Sequence, residues 1–146
     1  MKVCVTQRYN APPERVFDAW LDPKTAGRWL FATAWRPMRR VEIDARKGGP
    51  YRLVDGGGAE YTGRFIEIAR PRRLVFTLSM ENSPRVVTRV TAEIRPLKSG
   101  CELRLLHGDV PAGQASGTEG CWAGLLYGLG ETLNARDSTR SVSAAS

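Results

Sequence analysis

The 146-residue chain carries one histidine, His107, and imidazole is the side chain most easily poised for proton transfer near neutral pH. It closes an alternating run, Cys101, Leu103, Leu105 and His107, two residues before Asp109. A base there could serve a small-molecule cyclase, dehydratase or hydrolase, with Asp109 or a tyrosine as helper. The preferred reading is plainer: a strand-end histidine hydrogen-bonded to a carbonyl, because a general base needs a defined substrate pose. Cys101 and His107 share a strand face but lie about 20 Å apart at strand rise, whereas zinc holds ligands at roughly 2.0–2.3 Å. No metal site follows from that pair. Gly128-Leu129-Gly130 lacks a preceding strand, Asp55-Gly56-Gly57-Gly58 lacks the P-loop lysine, and no Gly-x-Ser-x-Gly elbow exists. The expectation is therefore no cofactor, no metal and no catalytic residue, with His107 kept only for an enzyme alternative.

Aromatic residues form the second set. Trp29, Tyr51, Tyr61, Phe65, Phe76 and Trp122 could line a pocket, although most buried aromatics only pack. Tyr51 and Tyr61 are the sharper candidates, since a buried phenol wants a hydrogen-bond partner that a ligand could supply. Cys4, Cys101 and Cys121 are odd in number and widely spaced, which suits reduced, mostly buried thiols rather than a disulfide framework.

The elements that must position these groups follow from periodicity. Residues 3–9 alternate as a strand, and Asn10-Ala11-Pro12-Pro13 opens a short helix with Val16/Trp20 and Phe17/Leu21 at i,i+4 spacing. Asp22-Pro23 can cap and start a second helix carrying Ala26, Trp29 and Leu30. From residue 38 the period becomes two, through Val41/Ile43/Ala45, Tyr51–Val54, Glu60–Ala69, Leu74–Met80, Val86–Arg95 and Cys101–His107. One apolar face on successive hairpin strands means a curved antiparallel sheet. Ser116-Gly117-Thr118-Glu119 reads as a capping box for a helix to about Ala135, whose stripe is Trp122, Leu126, Leu129 and Leu133. Gly124 and Gly128, one turn apart, suggest close approach of another backbone. From Asp137 the composition turns to Ser, Thr, Arg and Ala, so a disordered tail is expected over 138–146.

Composition bounds the partners. Twenty-two basic and fifteen acidic residues give a net charge of +7, which attracts polyanions, but Arg36, Arg39 and Arg40 are followed by Glu42 and Asp44. The remaining basic residues are scattered without a recognition-helix or RNA-binding signature, so no specific nucleic-acid partner is expected. No apolar run approaches the roughly 18 residues of a membrane span, and the first residues hold no secretory h-region. A cytoplasmic domain is the expectation, with a homodimer left open.

Five motifs in order now resemble one family. Residues Tyr9 to Trp20, followed by Asp22-Pro23 and Arg28-Trp29, look like the opening of the family named for the activator of the heat-shock-protein-ninety ATPase, within the START-like superfamily. Asp44-Ala45-Arg46-Lys47-Gly48-Gly49-Pro50-Tyr51 is similar to its Asp-x-Arg-x-Gly-Gly-x-aromatic turn. Gly63–Ile68 with Pro71–Thr77, then Leu103–Pro111, then Trp122-x3-Leu126-x2-Leu129-x3-Leu133 complete the match over residues 3 to about 136. Cys121 between Gly120 and Trp122, and Leu30 in place of a second aromatic, depart from the pattern.

The resemblance implies an α+β helix-grip fold: six or seven antiparallel strands wrapped around a long C-terminal helix, two short helices after the first strand, and one domain over residues 1–137. It further implies a cavity of roughly 300–1,000 Å³ between sheet and C-terminal helix, opening near Trp29 and Gly48-Gly49, for a hydrophobic or amphipathic small molecule. Trp29, Tyr51, Tyr61, Phe65, Phe76, His107, Trp122 and Leu126 are its expected contacts. A heat-shock ATPase partner is disfavoured, because the chain lacks the additional N-terminal domain associated with the eukaryotic activator.

Overall fold

The computed structural model describes residues 2–30, 39–80, 83–108, 110, 113 and 115–145. Its elements are β1 (Val3–Tyr9), α1 (Pro13–Leu21), α2 (Pro23–Trp29), β2 (Arg40–Ile43), β3 (Pro50–Val54), β4 (Glu60–Ala69), β5 (Arg73–Met80), β6 (Ser83–Pro96), β7 (Cys101–Gly108) and α3 (Ala115–Ala145). All strands join one antiparallel sheet in the order β1-β7-β6-β5-β4-β3-β2. Because side chains alternate across a strand, the register Val3↔His107↔Val90↔Phe76↔Phe65 sets one inward row across five strands. The expected helix-grip architecture is thus present.

The three helices cover the inward face. Trp122, Leu126, Leu129 and Leu133 are all buried, as helical spacing required. Val16, Phe17, Ala19 and Trp20 of α1 and Ala26 and Trp29 of α2 are buried beside them. Two long-range bonds fix α3: Tyr9 Oη donates to the Leu126 carbonyl at 2.7 Å, and Arg15 Nη2 donates to the Leu133 carbonyl at 2.7 Å. The outward face carries ion pairs, with Glu102 between Arg8 and Arg95 and Arg73 between Glu67 and Glu93.

Local expectations needed revision in several places. Space around Gly124 and Gly128 is open, with nothing within 4 Å of an added Cβ, so neither marks a close backbone approach. Close approaches lie instead at Gly63, where a Cβ would stand 1.9 Å from the Thr77 carbonyl oxygen, and at Gly100, 2.0 Å from that of Tyr9. Helix α3 begins at Ala115, which puts Ser116 inside the first turn rather than at the cap of a capping box. It also runs past Ala135, with its last residue at Ala145. Asp22 precedes α2 without a side-chain cap, its carboxylate accepting the Thr25 hydroxyl at 2.7 Å instead. Among the cysteines only Cys101 is buried; Cys4 and Cys121 are exposed.

Candidate functional site

The tripeptide Gly48-Gly49-Pro50 brings β3 back along β2 and also reaches β4. Gly48, at φ +81°, donates its amide to the Phe65 carbonyl at 2.6 Å, and Phe65 donates to the Gly49 carbonyl at 3.0 Å. This clamp places Tyr51 and Phe65 side by side, ring centroids 5.5 Å apart, with Phe76 edge-on to Tyr51 at 5.6 Å. Opposite them stand Trp20 of α1, Leu30 after α2 and Ile43 of β2; Leu53 and Leu74 complete the wall of a small cavity. Its volume is about 10 Å³, the scale of one water molecule.

Among the described residues this cavity is far smaller than the one expected, and it lies under α1 rather than against α3. Trp20 lies 4.7 Å from Trp29, 5.9 Å from Phe76 and 6.1 Å from Trp122, centroid to centroid, and these rings occupy the space between sheet and helices. The cavity sits under α1 and the end of α2, against β2–β5, and no described side chain of α3 lines it.

Two of the polar groups near the wall are satisfied within the protein, and one is not. Tyr51 Oη donates to the Thr77 carbonyl at 2.5 Å, in a stretch where the Arg64 amide turns to Thr77 Oγ1 at 3.0 Å. Burial pushes the Tyr51 phenol well above its ordinary value, so it holds its proton. Trp29 Nε1 donates to the Ala19 carbonyl at 2.9 Å, binding α2 to α1. Trp20 is 2% exposed and its Nε1 has no acceptor among the described residues.

His107 belongs to a separate polar chain. Trp122 Nε1 donates to His107 Nδ1 at 2.9 Å, and an indole nitrogen can only donate, so Nδ1 holds a lone pair and Nε2 the proton. Nε2–H then donates to Thr88 Oγ1 at 2.7 Å, and the Thr88 hydroxyl donates to the Leu78 carbonyl at 3.2 Å. Both ring nitrogens are engaged and the residue is 6% exposed, which leaves no nitrogen directed at a substrate. Asp109, its suggested helper, lies outside the described residues.

The eight expected contacts therefore separate. Tyr51, Phe65 and Phe76 meet at one wall; His107 and Trp122 bond to each other; Trp29 ties two helices; Leu126 is fully buried beneath Tyr9. Tyr61 is half-buried, its hydroxyl donating at 3.4 Å to Asp55, whose other oxygen holds the glycine turn through the Gly57 and Ala59 amides. Trp20, Ile43 and Leu74 of the wall were legible in the sequence only as apolar positions. A larger, open depression of about 850 Å³ between α1, α2 and α3 is lined by charges of both signs, Glu14, Asp18 and Asp22 beside Arg15, Lys24 and Arg28. Arg70, bonded to both Asp18 oxygens at 2.8 Å, holds that carboxyl below the usual range.

Comparison with known proteins matches residues 10–134 to the family model described as Activator of Hsp90 ATPase homolog 1-like protein. No curated protein matches at a significant level. A crystal structure of a protein from Chromobacterium violaceum is similar with TM-score 0.81 and 26% identity, covering 89% of this chain and 95% of that one. An HSP90 activator from Plasmodium falciparum is similar with TM-score 0.76 and 25% identity, over 92% of this chain and 96% of that one. The AHSA1-like protein from Aeromonas hydrophila shares the fold at TM-score 0.78 and 20% identity, over 94% of each chain.

Proposed function

Starting from the fact that the chain belongs to the family of Activator of Hsp90 ATPase homolog 1-like proteins, we propose that it is a binding domain for a small apolar molecule, held in the aromatic cleft between α1 and strands β2–β5. The observation that carries this reading is the composition of the cleft: aromatic and aliphatic side chains from α1, the end of α2 and four strands converge on one spot, with no charged group among the described residues that line it. The residual 10 Å³ is far below the roughly 300–1,000 Å³ of ordinary ligand sites, so binding requires the rings to part. Catalysis by His107 is not part of this proposal, since both its ring nitrogens already have partners.

Titration with N-phenyl-1-naphthylamine tests it. Saturable fluorescence enhancement at about one probe per chain is expected. Ile43, partly buried at the cleft, can be enlarged with limited damage to the core, and Ile43→Trp should weaken binding at least tenfold while the circular dichroism spectrum is kept. Absence of saturable binding by the native protein overturns the proposal.

A second reading is a co-chaperone of Hsp90, favoured by one observation: this chain spans 96% of the Plasmodium falciparum HSP90 activator at 25% identity. Acceleration of Hsp90 ATP hydrolysis by the purified protein, unaffected by Ile43→Trp, would favour it over the small-molecule reading.

A further inference from the structure

Trp20 occupies an unusual position for a core tryptophan. The indoles of Trp29 and Trp122 both donate within the protein, to the Ala19 carbonyl and to His107 Nδ1. Trp20 Nε1 is as deeply buried and has no acceptor among the described residues. A buried donor without an acceptor is costly to maintain, and core tryptophans ordinarily find one. Trp20 is also part of the wall of the aromatic cleft, facing Tyr51, Phe65 and Phe76, none of which offers it a bond.

On the reading that this cleft is a ligand site, we infer that its occupant is a neutral, ring-sized molecule bearing a carbonyl or ether oxygen that accepts from Trp20 Nε1. The polarity follows from the donor: indole nitrogen gives a proton and accepts none, so the ligand atom must be an acceptor. Its neutrality follows from the wall. Among the described residues no cationic side chain lines the cleft, and a carboxylate or phosphate moved there would lose its water with only one hydrogen bond in return. The apolar part of the ligand would stack among Phe65, Phe76 and Tyr51, in the offset or edge-on arrangements these rings already use with each other.

Two nearly isosteric probes isolate the acceptor: 2-acetylnaphthalene, which has a carbonyl oxygen, and 2-ethylnaphthalene, which has none. Calorimetry of the native protein should give tighter binding of the ketone by about tenfold, the scale of one buried hydrogen bond. The Trp20 indole resonance in a proton–nitrogen-15 spectrum should move downfield with the ketone and not with the hydrocarbon. In Trp20→Phe the preference for the ketone should vanish while the hydrocarbon still binds. If both probes bind natively with equal affinity and leave the indole resonance in place, a water or a neighbouring ring face satisfies Nε1, and the inference is wrong although the cleft is a site. If neither probe binds, the ligand reading itself fails and this inference with it. The spectrum of the native protein decides even where Trp20→Phe does not fold.

Discussion

At the scale of single residues, burial and pairing decide which groups can react. His107 has the right chemistry for proton transfer and the wrong surroundings, because Trp122 occupies Nδ1 and Thr88 occupies Nε2. Cys101 has a measurable consequence instead. Burial raises its thiol from an ordinary 9.0 to about 11. Above pH 9 the unfolded thiol ionises while the folded one keeps its proton, so the folded state binds more protons and stability falls as pH rises. Stability from this group is therefore complete below about pH 9 and declines toward about 11. Urea midpoints measured from pH 8 to 11 should fall for the native chain and fall less steeply for Cys101→Ala. Equal slopes would show that the thiol is not responsible.

Helix α3 illustrates what one element contributes and where it is slack. Its buried stripe fixes the interior, and Leu126 is fully buried with its carbonyl held by Tyr9. Leu126→Ala should destabilise the fold by about 2–5 kcal/mol through lost contact and a residual void. On the other side of the same helix, Gly124 and Gly128 have open space where a side chain would go. Gly124→Ala and Gly128→Ala should each stabilise by about 1 kcal/mol, since alanine forms helix better and meets no obstacle. Denaturant titration of the three variants checks both statements, and destabilisation by either glycine variant would show a packing role that the geometry lacks.

Across the whole molecule the net charge is +7, and on the sheet Arg8, Arg52, Arg73 and Arg95 pair with neighbouring carboxylates. Among the described residues no helix is long and apolar enough to cross a membrane. Such a surface should hold DNA or RNA weakly, with affinity falling steeply as salt rises, as phosphate contacts alone require. Filter binding or anisotropy at several salt concentrations measures this; a hundredfold sequence preference at physiological salt would contradict it.

The sequence by itself determined the strands, the two short helices, the buried stripe of α3 and the family, because alternation, helical spacing and turn residues act over a few positions at a time. Tyr51, Phe65 and Phe76 were legible as three of eight candidate contacts, each on the alternating apolar face of its strand; their meeting at one wall was not. The tertiary structure alone decided that His107 is bonded to Thr88 and Trp122, that Gly63 rather than Gly124 or Gly128 marks a close approach, and that the cleft among Trp20, Tyr51, Phe65 and Phe76 narrows to about 10 Å³. It alone set Trp20 against the cleft without an acceptor among the described residues. These properties depend on how side chains from distant segments share a volume. Periodicity states which face a residue takes; it does not state whether the rings on that face leave room between them.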